Sequence, residues 1–387
     1  MSFVSVKELE DKLQVETYAK MNLLIERGQG AYVWTNEGER YLDLYGGHAV
    51  CATGHCHPHV VASLKAQLNK LIFYSNIVYS EVRAKAAEKL VSVAPKSLKK
   101  VFFCNSGAEA NENAMKMARL VTGRKKIVSF SGSFHGRTAD AISATFLGNY
   151  RKLAEPNVPF HVCAEFGSVE SVKKTADEET AAIIIEPIQS MAGVREAEPE
   201  FFVFLRRFCD EKGILLIFDE IQTGMGRTGN WFFAGSPLSG FVEPDILTLA
   251  KSLGSGVPVG ACLVNERVAK SIKRNDLGTT FGGGMLAVAA VIATIEAIEI
   301  DGMLEKIVKA EKYLREKIKQ VPEVKDVFGK GGILAIEFYE DAAGFYEKLL
   351  KNKIITGTSA NPFRLRLLPP LCIGKEEIDL LIEALKR

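Results

Sequence analysis

The sequence has no C-x-x-C pair, no apolar run long enough for a membrane span, no block of like charge, no low-complexity tract and no internal repeat. Each absence excludes something. Seven cysteines, an odd number, are scattered from Cys51 to Cys372, which is poor accounting for a disulfide framework and fits a reducing cytosol. The longest apolar stretch, Met285 to Ile295, falls far short of a span and reads as a buried helix. The opening residues, MSFVSVKELEDKLQVE, are charged and acidic, so no signal peptide is expected. Lysine and arginine number 49 against 47 acids, interspersed to a net charge of +2. That leaves neither a basic face for nucleic acid nor an acidic tail. The expectation is a cytoplasmic protein with no nucleic-acid or membrane partner.

With 387 residues, 47% of them hydrophobic, the chain can bury a large core. Seven short apolar runs recur: KVFFC to Cys104, KIVSF to Phe130, FHVCA to Ala164, AAIIIEP to Pro187, ILLIFDE to Glu220, DILTLAK to Lys251 and GACLVN to Asn265. They are nearly continuous in hydrophobicity, as strands covered on both faces are. Helical stretches such as Glu109–Val121 and Pro199–Lys212 lie between many of them, so an α/β fold with an open, mostly parallel sheet is predicted. After the buried helix the texture changes to a charged amphipathic helix, EKIVKAEKYLREKIKQ, and two apolar runs, GGILAIEF and RLRLLPPLCIG. The expected division is an N-terminal segment, 1–45, packing with a small α/β domain, 301–387, and a large domain, 46–300.

In open parallel sheets ligands sit beyond the carboxyl ends of the strands, and there the polar residues cluster. Cys104 is followed by Asn105-Ser106-Gly107 and a helix; Ser106 and Glu109 have capping-box spacing. Free N–H groups at such a helix start suit a phosphate, and Gly107 lets backbone approach it. In SGSFHGRTADA, Phe134 and His135 sit on a Gly-flanked turn, where a ring can stack on a planar ligand, and Arg137 can clamp a carboxylate. IIIEP ends in Glu186. ILLIFDEIQTG carries Asp219, Glu220 and Gln222 at the end of a buried strand, where an acid needs a cationic partner. Lys251 follows an apolar run; a lysine so placed has a lowered pKa and attacks carbonyls. Singly, each has a plainer reading: a capped helix with no guest, a core phenylalanine, an exposed arginine, a strand-end lysine. Together they match one cofactor. Pyridoxal phosphate has a phosphate, a flat ring, a ring nitrogen that works best protonated opposite an acid, and an aldehyde for a lysine.

The blocks NSGAEANENAMKMAR, SFHGRT, IIIEPIQ, LLIFDEIQTGMGRTG, LAKSLGSGVPVGA, TTFGG and RLLPPL, with YLDLYGGHAVCATGHCHPHVV before them, resemble the class III pyridoxal-phosphate aminotransferases of fold type I. Within that family the resemblance is closest to N-acetylornithine and N-acyl-lysine aminotransferases. It implies a Schiff-base and proton-shuttling role for Lys251, pairing of Asp219 with the ring nitrogen, and contact of Gln222 with the phenolic oxygen. Phe134 would stack on the ring, with His135 and Glu186 also on the cofactor side. Ser106, Gly107 and Ala108 would cradle the phosphate, reached by Thr280 from the partner subunit of a homodimer. Arg137 would bind the donor's α-carboxylate and Arg366 the second carboxylate of glutamate or 2-oxoglutarate. The implied reaction is a ping-pong transfer from an N-acyl-ornithine to 2-oxoglutarate in arginine or lysine biosynthesis; ornithine and 4-aminobutyrate are the alternative donors.

Three positions depart from the family pattern. Ser190-Met191 stands where Gly-Glu is common, which removes the acid that masks the second arginine and leaves Arg366 either open or covered by another acid. His48 replaces an aliphatic or aromatic residue and is expected to line the substrate pocket or to be a satisfied structural histidine. Gly284-Met285 replaces Asn-Pro after the glycines. An open Arg366 together with His48 points to a donor with two acidic or acylated ends. Two rivals remain from other classes. Gly224–Gly229, GMGRTG, matches a dinucleotide fingerprint but opens no helix, against a nicotinamide-dependent dehydrogenase. GHCHPH offers His55, Cys56, His57 and His59 as metal ligands, yet neighbours on one loop cannot all face one ion, so no metal site is expected.

Overall fold

The computed structural model describes residues 2–387. All seven apolar runs form strands of one sheet, in the spatial order Leu98–Cys104, Gly260–Asn265, Ile246–Leu249, Leu215–Asp219, Thr180–Ile185, Lys126–Phe130, His161–Ala164. Gly260–Asn265 runs antiparallel to both of its neighbours, and the other pairings are parallel. Every residue of Thr180–Ile185 and Leu215–Asp219 is buried, as continuous hydrophobicity requires of strands covered on both faces.

Gly107–Thr122 packs on the sheet, whereas Met285–Ile300 packs against the helices Pro58–Leu68 and Glu81–Val93. Gly107–Thr122 buries Ala110, Ala114, Met115 and Ala118 and ends at Gly123, whose φ of 69° is the left-handed closure that glycine supplies. Met285–Ile300 is apolar all round and mostly buried, with Gly284 at its start. No helix of the described residues is long and apolar enough to cross a membrane.

The C-terminal region builds a three-stranded antiparallel sheet, Val324–Lys330, Ile333–Phe338 and Arg364–Leu367. The strand Val324–Lys330 adds to the two runs visible in sequence; its polar texture, VKDVFGK, hid it. Near the N-terminus, Ile25–Gln29, Tyr32–Thr35 and Arg40–Asp43 form an antiparallel meander, and Ile354–Ile355 pairs in parallel with Leu42 and Asp43. The N-terminal segment and the C-terminal region thus share a sheet.

The GMGRTG segment forms turns with no helix after it, and its arginine turns inward. The three imidazoles of GHCHPH diverge: His55 to Asp43 at 2.8 Å, His57 to Asp301 at 3.2 Å, His59 to Glu296 at 2.7 Å.

Candidate active site

A cavity of about 530 Å³ lies beyond the carboxyl ends of the parallel strands. Its wall brings together Ser106, Gly107, Ala108, Phe134, His135, Arg137, Glu186, Asp219, Gln222 and Lys251, ten of the residues singled out from the sequence. Val50, Met191 and Val257 add apolar surface.

Asp219 ends its strand and is only 4% exposed. Its Oδ2 accepts from Asn111 Nδ2 and from His135 Nδ1, both at 2.7 Å, and its Oδ1 accepts from the N–H of Ile221 at 3.1 Å. Three donors hold its two oxygens in fixed orientation. Asn111 is itself held by Thr248, which donates to its Oδ1 at 2.7 Å. His135 therefore stands behind the acid. Its Nε2 is buried without a partner. Glu220, the next residue, faces away and accepts from the N–H groups of Phe233 and Ala234 at 2.7 and 2.8 Å. Burial raises its pKa to about 7.

Lys251 follows its strand with φ of 41°, a left-handed conformation rare outside glycine and concentrated at functional sites. Burial lowers its pKa; the charges of Asp219 and Glu186 oppose that shift, and those of Arg366 and Arg227 add to it. The amine is thus poised toward its neutral, nucleophilic form. Glu186 accepts from the N–H of Phe134 at 2.7 Å, which fixes the turn carrying that ring. Burial raises its pKa to about 7, against the pull of His135.

Ser106 caps the helix Gly107–Thr122, its Oγ accepting from the N–H of Glu109 at 3.1 Å. Glu109 reaches back to the N–H of Asn105 at 2.8 Å, one residue earlier than a capping box would have it. The N–H groups of Gly107 and Ala108 lack intrahelical partners, as at any helix start, so the dipole and free donors favour an anion there. A Cβ on Gly107 would lie 2.7 Å from Ile221 Cδ1, so close packing against Ile221 is a second reason for glycine. Gln222 Oε1 is buried without a partner on the same cavity. Arg137 is exposed and sits 5.1 Å from the ring centroid of Tyr150, which packs edge-on against Phe134.

Arg366, Thr280 and His48 lie outside the cavity wall. Arg366 is 5% exposed and meets only neutral oxygens: Thr358 O at 2.7 Å, Ser190 Oγ at 3.2 Å and Tyr45 Oη at 3.0 Å. The missing acid at position 191 is thus replaced by hydroxyls and a carbonyl. His48 is exposed and bonded to Tyr45 rather than lining the cavity. Its pKa is lowered by burial of its inner face, then by the charges of Arg366, Lys251 and Arg137. Thr280 is exposed; its neighbour Thr279 accepts from Asn105 Nδ2 at 2.9 Å. Asn111, Thr248 and Tyr45 escaped the sequence reading. An asparagine inside an alanine-rich helix is poorly suited to it, and that misfit was the available signal for Asn111.

The class-III aminotransferase family model matches residues 14–387. Acetylornithine aminotransferase of Archaeoglobus fulgidus is 45% identical over 376 residues, 97% of this chain and 98% of that protein. The enzyme of the same name from Methanopyrus kandleri is 42% identical, covering 97% and 96%. Among solved structures, ornithine aminotransferase of Toxoplasma gondii superposes with a TM-score of 0.93 at 27% identity, covering all of this chain and 94% of that one. A second crystal structure of that T. gondii enzyme has pyridoxal phosphate partly occupying its active site. Acetylornithine aminotransferase of Elizabethkingia anophelis gives a TM-score of 0.86 at 26% identity, covering 100% and 98%. The seven-stranded sheet is accordingly that of fold type I, and this chain belongs to the class-III aminotransferases.

Proposed function

We propose that the chain transfers the terminal amino group of an N-acyl-ornithine, acetylornithine or succinylornithine, to 2-oxoglutarate. The products are the corresponding semialdehyde and glutamate, in arginine or lysine biosynthesis. The observation that carries this reading is the convergence of Lys251, Asp219 and a capped helix start on one cavity. The acetylornithine aminotransferases at 38–45% identity support the donor class.

The residues present fit pyridoxal phosphate. Gln222 brings an amide whose NH₂ can donate to the cavity, Asp219 Oδ1 takes a single backbone bond, and the helix start offers free N–H groups. Gly107 and Ala108, with Ser106, would hold the phosphate; Phe134 would face the ring; Asp219 would face its nitrogen, with His135 behind; Gln222 would meet the phenolic oxygen. When bound, this cofactor supplies an aldehyde that exchanges amino groups and a charged ring that withdraws electrons. Asp219, oriented by Asn111 and His135, holds the proton on the ring nitrogen. Lys251, its charge disfavoured by burial, takes a proton from the substrate carbon and returns one nearby. Arg137 orients the donor's α-carboxylate, and Arg366 the second carboxylate of 2-oxoglutarate or glutamate.

A homodimer belongs to the same reading, with Thr280 serving the partner's phosphate site. Exposed Leu71, Ile72, Tyr74, Ile77, Tyr79 and Phe281 support it, on two segments joined by Asn76 Nδ2 donating to Gly282 O at 2.8 Å. So does a cytosolic location, which fits seven free thiols. Domain limits at residues 45 and 300 complete it.

Initial rates of glutamate formation with acetylornithine, succinylornithine, ornithine and 4-aminobutyrate test the donor class. The acylated ornithines are expected to be preferred. Clear preference for free ornithine or 4-aminobutyrate would replace the reading by its alternative.

A further inference from the structure

The turn that follows Tyr45 holds an arrangement the reaction above leaves unused. Residues 46–49 wind left-handed, with φ of 55° at Gly46, 56° at Gly47, 65° at His48 and 64° at Ala49. His48 and Ala49 carry a Cβ that this conformation disfavours, so the surroundings must impose it. They do so at both ends. Asp43 Oδ1 accepts from the N–H groups of Tyr45 and Gly46, each at 2.9 Å. The carbonyl of Ala49 accepts from Ser252 Oγ at 2.8 Å and Arg227 Nη2 at 3.3 Å. Ser252 is the residue next to Lys251.

The turn brings the His48 ring within 4.8 Å of the Tyr45 ring centroid, and His48 Nδ1 within 2.8 Å of the Tyr45 hydroxyl. The same hydroxyl lies 3.0 Å from Arg366 Nη2. A guanidinium only donates, so the Tyr45 oxygen accepts from Arg366 and its single proton is left for His48 Nδ1. This assigns His48, from the network, as neutral with its own proton on Nε2. The bonds run one way: Arg366 to Tyr45 to His48. With Nε on Thr358 and one hydrogen of each terminal nitrogen taken by Ser190 and Tyr45, one N–H on each terminal nitrogen stays free. A carboxylate accepts such a pair bidentately.

We propose that His48 is a positioning residue, which orients the Tyr45 hydroxyl so that Tyr45 in turn holds Arg366 for the carboxylate of the dicarboxylic partner. The proposal rests on the reading of Arg366 given above. It makes Tyr45 and His48 one unit: removing either releases Arg366 from the same side. It also gives the strained histidine a purpose, since the left-handed turn holds Nδ1 against the hydroxyl.

Calorimetric titration of the full-length holoenzyme with glutarate tests it. Glutarate has both carboxylates but neither amine nor ketone, so it binds without reacting. Tyr45→Phe is expected to raise its Kd about tenfold, the effect of losing a hydrogen bond to a charged group. His48→Ala is expected to raise it several-fold. His48→Asn is expected to stay within about twofold of the parent, because the amide oxygen stands near the Nδ1 position and asparagine tolerates the left-handed region. The double variant Tyr45→Phe/His48→Ala is expected to bind no more weakly than Tyr45→Phe alone. An unchanged Kd in Tyr45→Phe, additive losses in the double variant, or His48→Asn as weak as His48→Ala would each overturn the proposal. If Tyr45→Phe loses its melting transition, the two His48 variants decide alone. Failure of every amino donor with 2-oxoglutarate would overturn the transaminase reading instead, and the glutarate titrations would still decide the relay.

Discussion

Lys251 and Asp219 are joined by no bond of their own, yet they share one cavity and one electrostatic problem. The lysine is pushed toward neutrality by burial; the acid is held by three donors that orient it. Lys251→Ala is expected to lower the turnover number by about 10⁴-fold or more, the scale of a lost acid–base group that is also the nucleophile, with little change in melting temperature. Asp219→Asn is expected to cost about 10²–10³-fold, measured as steady-state glutamate formation, because a neutral amide no longer holds the ring proton. An amide there must also turn its NH₂ toward a donor, so this variant should lose stability as well, unlike the lysine variant. Both residues were legible in the sequence because each follows a largely apolar run, where a charge is conspicuous. Asn111, Thr248 and Tyr45 were not read: they act on residues far away in the chain, and only Asn111 carries a local mark, its poor fit to the helix interior.

At the level of elements, the helix start Ser106–Gly107–Ala108 is shaped by what packs beneath it. A Cβ on Gly260 would lie 2.5 Å from Ser106 O and 2.8 Å from Cys104 Sγ, and the first of these is backbone that cannot swing aside. Gly260→Ala is expected to destabilise the fold by about 1–3 kcal/mol and to weaken cofactor retention, measured by urea unfolding and by cofactor release on dialysis. The turn 46–49 depends on Asp43, whose second oxygen meets His55 Nε2 at 2.8 Å. That hydrogen bond, helped by one to Cys51, raises the His55 pKa to about 10. The folded state binds this proton more tightly than the unfolded chain, so the stabilisation is complete below about pH 6.5 and fades as pH climbs toward 10. Urea unfolding of the parent and of His55→Ala should therefore differ most near pH 6 and converge near pH 10. A gap that widens with pH would contradict this. The sheet strands were readable because their apolar runs are nearly continuous, most of all in Thr180–Ile185 and Leu215–Asp219, which are buried throughout. Val324–Lys330 and the N-terminal meander were not, since half-exposed strands mix charges into the run and look like loops.

Across the whole molecule, Arg227 does what its sequence context concealed. In GMGRTG it reads as part of a glycine loop, but it is fully buried and donates to the carbonyls of Gly332, Pro369 and Ala49. Those three belong to the C-terminal hairpin, the loop after Arg364–Leu367 and the left-handed turn, so one side chain ties distant parts of the chain together. Its charge is compensated by carbonyl dipoles alone, and burial lowers its pKa to about 10. Arg227→Met fills similar space but takes the donor from the Gly332 and Pro369 carbonyls, while the Ala49 carbonyl keeps Ser252 Oγ. It is expected to destabilise by about 2–4 kcal/mol, checked by thermal or urea unfolding. The α/β class and the cofactor pocket could be read from the chain because they depend on strand order and strand ends. The tie made by Arg227 and the neutral cage around Arg366 could not, since each is assembled from segments more than a hundred residues apart.

The central claim is that Lys251, past the end of Ile246–Leu249, would supply the amine for the cofactor's aldehyde, with Asp219 held on the same cavity to face the ring nitrogen. Borohydride reduction of the cofactor-loaded protein, followed by peptide mapping with mass spectrometry, addresses it most directly. The expected result is a single pyridoxyl group fixed to Lys251, absent from Lys251→Ala. A label on another lysine, or none in the loaded parent protein, would contradict it.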